Sequence, residues 1–459
     1  MHDPFGKNLS EVLFIPVSTE AHGSPIESLL ASQPREDFDL RLEEDYSDGE
    51  IGIHDSFDWR LFDKDIQLYS MEEDPGRSSP QPIFFLRGEG AENCAGQPPL
   101  VCRTAPGAPR HPFASHFADE EDGGGYAADC LAGVTKIRAF MERGRLRYSG
   151  KRYHLLDDIE KRIADLDIYY FHPISTDSHG LLMLHGSPLR GYDKELNTFL
   201  RLITKQKSTK RNRYEALIRL SGAAPLDYSS KVRLSFDPDA EVSTVGGEVI
   251  DYFFSIMRRN EEGIREDIDT EFLHDYRVAL RRLRSFVSEI KHAFPKKVRK
   301  RLSSELKELF SFTTHVRDFD VLILGKAEFS SMIPAEFREG LQRFMDWAEE
   351  RRNTHLRELI DYLRSSDYED LMQRWGSYAR EAAVTTNAVG TTEAVGAGEM
   401  PNSGGETAQK LSKEGIPISE VALGRVRKRA VQVHEAMEEL EQEYSSEKLH
   451  TLRIQCKKL

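Results

Sequence analysis

Apolar positions change rhythm along this chain. Up to about residue 240 they come in short runs of strand length and make-up, such as Val12-Leu13-Phe14-Ile15, Asp167-Ile168-Tyr169-Tyr170-Phe171 and Val232-Arg233-Leu234-Ser235-Phe236. A basic stretch of helical pattern, Lys205–Arg219, interrupts them. Beyond Asp237-Pro238-Asp239 the spacing becomes helical and breakers are few. The expected fold class is an α+β N-terminal domain followed by an all-α helical bundle. Residues 75–125 are rich in Pro, Gly and Ser and predict a loop of disordered composition that splits the first domain into 1–74 and 126–244. The helical part divides into 245–382, a low-complexity linker at 383–415, and 416–459. The last helical pattern runs to Leu459 with no stop signal, which predicts a bundle cut short.

Composition narrows the class. The 459 residues, at ~150 per domain, suggest two or three domains. A charged fraction of 31% suits long solvated helices, and a net charge of -14 argues against a general nucleic-acid binder. The four cysteines form no C-x-x-C pair, so neither a disulfide framework nor a zinc site is expected, and a reducing, cytoplasmic setting follows. Residues 1–10 have no apolar signal core, and no run of ~18 apolar residues predicts a membrane span.

Local charge is more informative than the total. Between His274 and Arg301 stand ten Lys or Arg against two acids, Asp275 and Glu289. At about 100° per residue over 274–292, Tyr276, Ala279, Leu280, Leu283, Phe286, Val287 and Ile290 share an apolar arc. His274, Arg277, Arg281, Arg284, Lys291 and His292 share the adjoining arc, Asp275 and Glu289 lie outside it, Arg282 joins the candidate binding cations, and Pro295 is expected to end the helix. Lys296, Lys297, Arg299 and Lys300 open the next one. Solvated helices usually mix charge signs, whereas a one-sign cluster repels itself until an anion neutralises it. Guanidinium groups can hold phosphate oxygens in pairs, so the candidate ligand is a polyanion. The pattern recurs at Leu449-His450-Thr451-Leu452-Arg453-Ile454-Gln455-Cys456-Lys457-Lys458-Leu459, which aligns without gaps on Leu273–Leu283 and predicts two similar helical halves. His450, Arg453, Lys457 and Lys458 join the candidate site.

These motifs, with Thr313-Thr314-His315-Val316-Arg317-Asp318-Phe319-Asp320-Val321, resemble the CHAD domain (conserved histidine α-helical domain) over about 245–459. The resemblance implies two four-helix halves related by a pseudo-twofold, a basic groove that binds inorganic polyphosphate, and association with polyphosphate granules. In the family the Lys-Lys-Leu motif continues into Arg-Tyr and further helices; here it ends the chain, so much of the second half-bundle, and its share of the groove, is expected to be missing. His274 is read as lining the groove, against the alternative of a histidine that fixes the helix start. His315 reads as structural. Arg317, Asp318 and Asp320 read as interhelical ion pairs, with a binding role for Arg317 as the alternative.

The N-terminal half carries weaker likenesses. Ile53-His54-Asp55-Ser56-Phe57-Asp58-Trp59-Arg60-Leu61-Phe62 and Lys151-Arg152-Tyr153-His154-Leu155-Leu156-Asp157-Asp158-x-x-Lys161 resemble strand motifs of CYTH-like domains. That resemblance implies an antiparallel β tunnel binding triphosphates with a divalent metal. Residues 1–40 contain no Glu-x-Glu-x-Lys strand, and the family's Lys-x-x-x-Arg reads Lys161-Arg162-Ile163-Ala164-Asp165. The tunnel is therefore expected to be degenerate and not catalytic, with Phe57 and Trp59 as core residues, no catalytic or metal residues, and no cofactor; Mg²⁺ or Mn²⁺ would enter only if the domain were active. The function expected is polyphosphate binding. The alternatives are a metal-dependent triphosphate hydrolase and an interaction bundle without ligand.

Overall fold

The structure is a computed structural model. It describes residues 12–18, 38–72, 83–88, 100–104, 108–119, 126–175, 179–203, 210–387 and 415–458. The expected linker at 383–415 lies largely outside these residues, as do parts of the 75–125 segment and Leu459. The chain divides into two units at Ser229/Ser230, ahead of the expected boundary at 244.

The first unit is built on an antiparallel sheet of nine strands: β1 (Val12–Ser18), β2 (Asp39–Asp55), β3 (Ile66–Glu72), β4 (Ile83–Gly88), β5 (Leu100–Thr104), β6 (Phe117–Asp119), β7 (Met141–Leu156), β8 (Arg162–Pro173) and β9 (His179–Pro188). Their order is β1-β9-β8-β7-β2-β3-β4-β5-β6. The antiparallel sheet was expected, but it is open: among the described residues no ladder joins β1 to β6, so the strands do not close into a complete tunnel. Three strands, β4 to β6, lie within the 75–125 segment that composition assigned to loop. Its apolar run Ile83-Phe84-Phe85-Leu86 explains the difference. Phe84, Leu86, Cys102 and Phe117 pack with Ala127, Cys130 and Leu131 of α2 (Tyr126–Thr135), and that burial outweighs the surrounding turn residues. Cys130 is disulfide-bonded, against the reading that no disulfide forms, while Cys102 and Cys456 are not in disulfides.

The rest of the sheet is covered twice. Helix α3 (Asp193–Ile203) lays Leu196 and Phe199 over Tyr153, Leu155, Leu166, Ile168, Leu182 and Leu184. Helix α4 (Lys210–Leu220) lays Tyr214, Leu217 and Ile218 over Ile51, Ile53, Trp59, Tyr148, Tyr169 and Met183. The Ile53–Phe62 motif is a strand only as far as Asp55. There the carboxylate, fully buried, accepts the backbone N–H groups of Ser56, Leu61 and Phe62 and starts the one-turn helix α1 (Arg60–Asp63). Trp59 is a core residue, as expected, with Nε1 donating to Asp227 and the Arg143 guanidinium 4.6 Å above its ring.

The second unit is helical: α5 (Val242–Arg265), α6 (Thr270–Glu289), α7 (Lys296–Leu324), α8 (Lys326–Met332), α9 (Arg338–Leu363), α10 (Ser366–Asn387), α11 (Ile418–Gln442) and α12 (Ser446–Lys458). The run Val232–Phe236, read as a strand, is irregular; the Tyr252 hydroxyl holds it by accepting from Arg233 N–H and donating to the Lys231 carbonyl. Helices α5, α6, α7, α9 and α10 pack around a core that includes Met257, Phe272, Tyr276, Leu280, Leu283, Leu306, Leu309, Leu359 and Trp375. At one end of that core the Glu261 carboxylate, itself buried, accepts from Tyr368, Arg258 and Arg265. A buried carboxylate survives only with such partners.

Candidate functional site

Helix α6 begins where Asp269 accepts the N–H of Glu271. Its buried residues Phe272, Leu273, Tyr276, Ala279, Leu280, Leu283 and Val287 reproduce most of the apolar arc expected from the sequence. The adjoining arc turns toward α7. Arg277 Nη1 donates to Thr313 Oγ1 at 2.6 Å, and the guanidinium carbons of Arg277 and Arg284 lie 4.4 and 4.6 Å from the centroid of the Phe310 ring. Arg317 sits close enough to His274 and Arg277 to depress the basicity of both. Burial lowers the His274 pKa first, and the Arg317 charge lowers it further. Burial also lowers Arg277; the Asp318 carboxylate opposes the shift, and Arg317, Arg281 and Arg284 add to it. Burial alone accounts for the lowering at Arg284. His274 and Arg277 therefore register the charges of Arg317 and Arg281, opposed by Glu271 and Asp275 at His274 and by Asp318 at Arg277.

The stripe continues along α7. At about 100° per residue, Lys296, Arg299, Lys300, Lys307, Phe310, Thr314 and Arg317 fall within one arc, with one acid, Asp318, at its edge. The contacts of Phe310 and Thr314 with Arg277 show that this arc faces the α6 stripe. Lys307 was missed by the sequence reading, although the same wheel continued one helix further would have found it.

Other expected site residues stand elsewhere. Helix α6 stops at Glu289 because Ile290 leaves helical geometry, and a 3₁₀ turn holds Lys291–Ala293. Lys291 and His292 are exposed on that turn and do not continue the stripe, and Pro295 starts α7 rather than ending α6. Arg282 points off the stripe and donates to the Ser230 carbonyl. Lys297 is exposed in the first turn of α7. His450 and Arg453 are exposed on α12, whereas His274 and Arg277 are half-buried on α6, and among the described contacts nothing joins the α12 pair to the α6–α7 stripe. The side chains of Lys457 and Lys458 lie outside the described residues. Asp320 makes the interhelical ion pair expected of it, with Arg352. His315 stacks on His355, the ring centroids 4.9 Å apart.

Ion pairing separates the stripe from its surroundings. In the same unit Arg258, Arg265, Arg352, Arg374, Arg425 and Arg429 all face carboxylates. Among the described residues, none of Arg277, Arg281, Arg284, Lys296, Lys297, Arg299, Lys300, Lys307 and Arg317 has an ion-pair partner. The first turn of α7 carries no acid, so its cations also oppose the positive end of the helix dipole. A second basic cluster, Arg425-Val426-Arg427-Lys428-Arg429 on α11, escaped the sequence reading. It is partly neutralised, because Arg425 and Arg429 both donate to Glu289.

A helical unit with a histidine-headed stripe of unpaired arginines is one class of domain, and comparison with known proteins names it. Residues 248–459 match the family model described as the CHAD domain. The second unit thus carries a CHAD domain. Among solved structures, the CHAD domain of the plant Ricinus communis is similar at 20% identity and a TM-score of 0.37, covering 50% of this chain and 67% of that one. A putative adenylate cyclase from Vibrio parahaemolyticus is similar at 8% identity and a TM-score of 0.19, covering 49% of this chain and 95% of that one. At those scores neither likeness bears on the fold. No curated protein matches the chain.

Proposed function

We propose that the helical unit binds inorganic polyphosphate, or a polyanion of the same spacing and charge, along the α6–α7 stripe. The observation that carries this reading is a contrast in pairing: Arg258, Arg265, Arg352, Arg374, Arg425 and Arg429 each meet a carboxylate, while Arg277, Arg281, Arg284 and Arg317 stand together with no ion pair among the described residues and with Asp318 as the acid whose charge reaches Arg277. Like charges held together cost folding energy that a bound polyanion would recover, through bidentate guanidinium contacts and counterion release. Lys296, Arg299, Lys300 and Lys307 extend the track along α7, and His274 sits at its other end. The CHAD match supports the same ligand class. No described helix is long and apolar enough to cross a membrane; polyphosphate granules in the cytoplasm are the setting that fits this ligand.

Filter binding of labelled polyphosphate from roughly 50 to 500 mM salt tests the proposal, with affinity expected to fall steeply as salt rises. No binding at the low-salt end would sink it.

A further inference from the structure

Away from the helical unit, three adjacent strands of the sheet bring together a carboxylate, an imidazole and a second carboxylate. We propose that Glu43, His154 and Asp165 form a binding site for a divalent transition-metal ion. The donor atoms of the three residues all lie within 4.8 Å of one another. His154 Nδ1 stands 3.0 Å from Asp165 Oδ1 and 3.2 Å from Glu43 Oε2.

The strand register produces this convergence. His154 on β7 is the cross-strand partner of Asp165 on β8, so their side chains leave the same face of the sheet. On β2, Leu42 pairs with Tyr153 and Glu44 with Arg152, which leaves Glu43 as the extra residue of a β-bulge. Arg41 is the cross-strand partner of His154, and Glu43, two residues further along β2, shares its face by regular alternation. Alternation thus brings Glu43 to the face of the histidine, and the bulge leaves it without a cross-strand partner of its own.

The donor set fits one ion better than it fits one proton. His154 Nδ1 carries at most a single hydrogen, yet two carboxylate oxygens converge on it at hydrogen-bond distance. An ion with metal–ligand bonds of about 2.0–2.2 Å sets neighbouring donors about 3.0–3.5 Å apart, and both carboxylates stand at that spacing from His154 Nδ1. One imidazole with two carboxylates suits zinc, manganese or iron, whereas magnesium and calcium prefer all-oxygen sets. The side chains are 36%, 19% and 22% exposed, so water can reach the ion and fill its remaining positions. Arg162 competes for the site by donating to both oxygens of Asp165, at 2.8 and 2.6 Å.

Zinc titration of the full chain by calorimetry, with manganese resonance spectra as a second readout, tests the site independently of polyanion binding. One ion per chain is expected, with affinity lowered at least tenfold in Glu43→Gln and in His154→Gln. Arg162→Ala should tighten binding several-fold by freeing Asp165. Glu43 lies at the solvent edge, so its variant keeps the fold, which thermal unfolding verifies. Binding unchanged in Glu43→Gln, or absent from both the wild type and Arg162→Ala, would overturn the proposal.

Discussion

Arg429 of α11 closes on Glu289, the last residue of α6, and Arg425 reaches the same carboxylate at 2.5 Å. Arg429 also approaches Gln455 of α12, so this one acid ties the last two described helices to the rest of the unit. Burial alone would raise the Glu289 pKa, but Arg429 and Arg425 outweigh it and hold the carboxyl below its usual range. Its stabilisation is therefore fully present above the unfolded value, about pH 4.3, and is lost as pH falls through the lower folded value. Glu289→Gln should loosen α11 and α12 by roughly 1 kcal/mol, a modest figure because all three side chains are partly exposed. Hydrogen exchange at neutral pH should show about fivefold faster exchange in α11 with α5–α7 unchanged. Equal rates in both helix sets would show that the contact is incidental.

The stripe and its aromatic support should separate by salt dependence. Replacing Arg277, Arg281 and Arg284 together with Ala removes three cations, so the slope of log affinity against log salt should shrink by about 2. Phe310→Leu keeps every cation but removes the ring beside Arg277 and Arg284, an interaction worth ~0.5–2 kcal/mol. Its polyphosphate affinity should fall a few-fold with the slope unchanged. A slope that is the same in the triple variant as in the wild type would place the binding track elsewhere.

What could be read from sequence follows from the range of the interactions. The apolar and basic arcs of α6 were legible because helical periodicity is local, and Tyr276, Leu280 and Leu283 are buried as the wheel required. The wheel overran at Lys291 and His292 because it assumes continuous helix, while Ile290 turns the backbone out of it. Strands β4 to β6 were hidden by their Gly- and Pro-rich surroundings, and only contact with Ala127 and Leu131, far along the chain, marks Phe84 and Leu86 as core. Pairings such as Glu289 with Arg429, or Glu43 with His154, join residues whose meeting depends on tertiary packing or on strand register. No local pattern announces them.

His274 should report ligand binding as a proton. Burial and the neighbouring Arg317 lower its pKa from the usual 6.5, so at neutral pH it is neutral. Because its folded value lies below the unfolded one, its effect on stability is neutral above about pH 6.5 and becomes unfavourable as pH falls below it. A polyanion laid along the stripe would offset the Arg317 charge and raise the His274 pKa, so affinity should rise as pH drops from 7 toward 5.5. Calorimetry in two buffers of different ionisation enthalpy should show proton uptake on binding. His274→Gln should abolish that uptake while leaving most of the affinity; uptake that persists in the variant would assign the proton to another group.

The cationic stripe needs a rigid floor, and Arg352 secures one end of it. Its guanidinium donates to Asp320 on α7 at 2.7 Å and to both oxygens of Asp267 in the α5–α6 turn at 2.6 Å. Asp320 is 1% exposed, and burial raises its pKa despite Arg352. Arg352→Met would keep much of the packing volume but leave Asp320 buried beside Asp267 without an ion-pair partner, with only the Arg317 charge to oppose it. Breaking a buried pair from one side costs about 3–5 kcal/mol. Arg352→Met with Asp320→Leu removes both charges and should recover most of that loss, since well-packed apolar groups replace a buried pair at little cost. Urea unfolding of the two variants measures the difference. If the double variant is no more stable than the single one, packing around Arg352, and not the charge left on Asp320, sets the stability of this end of α7.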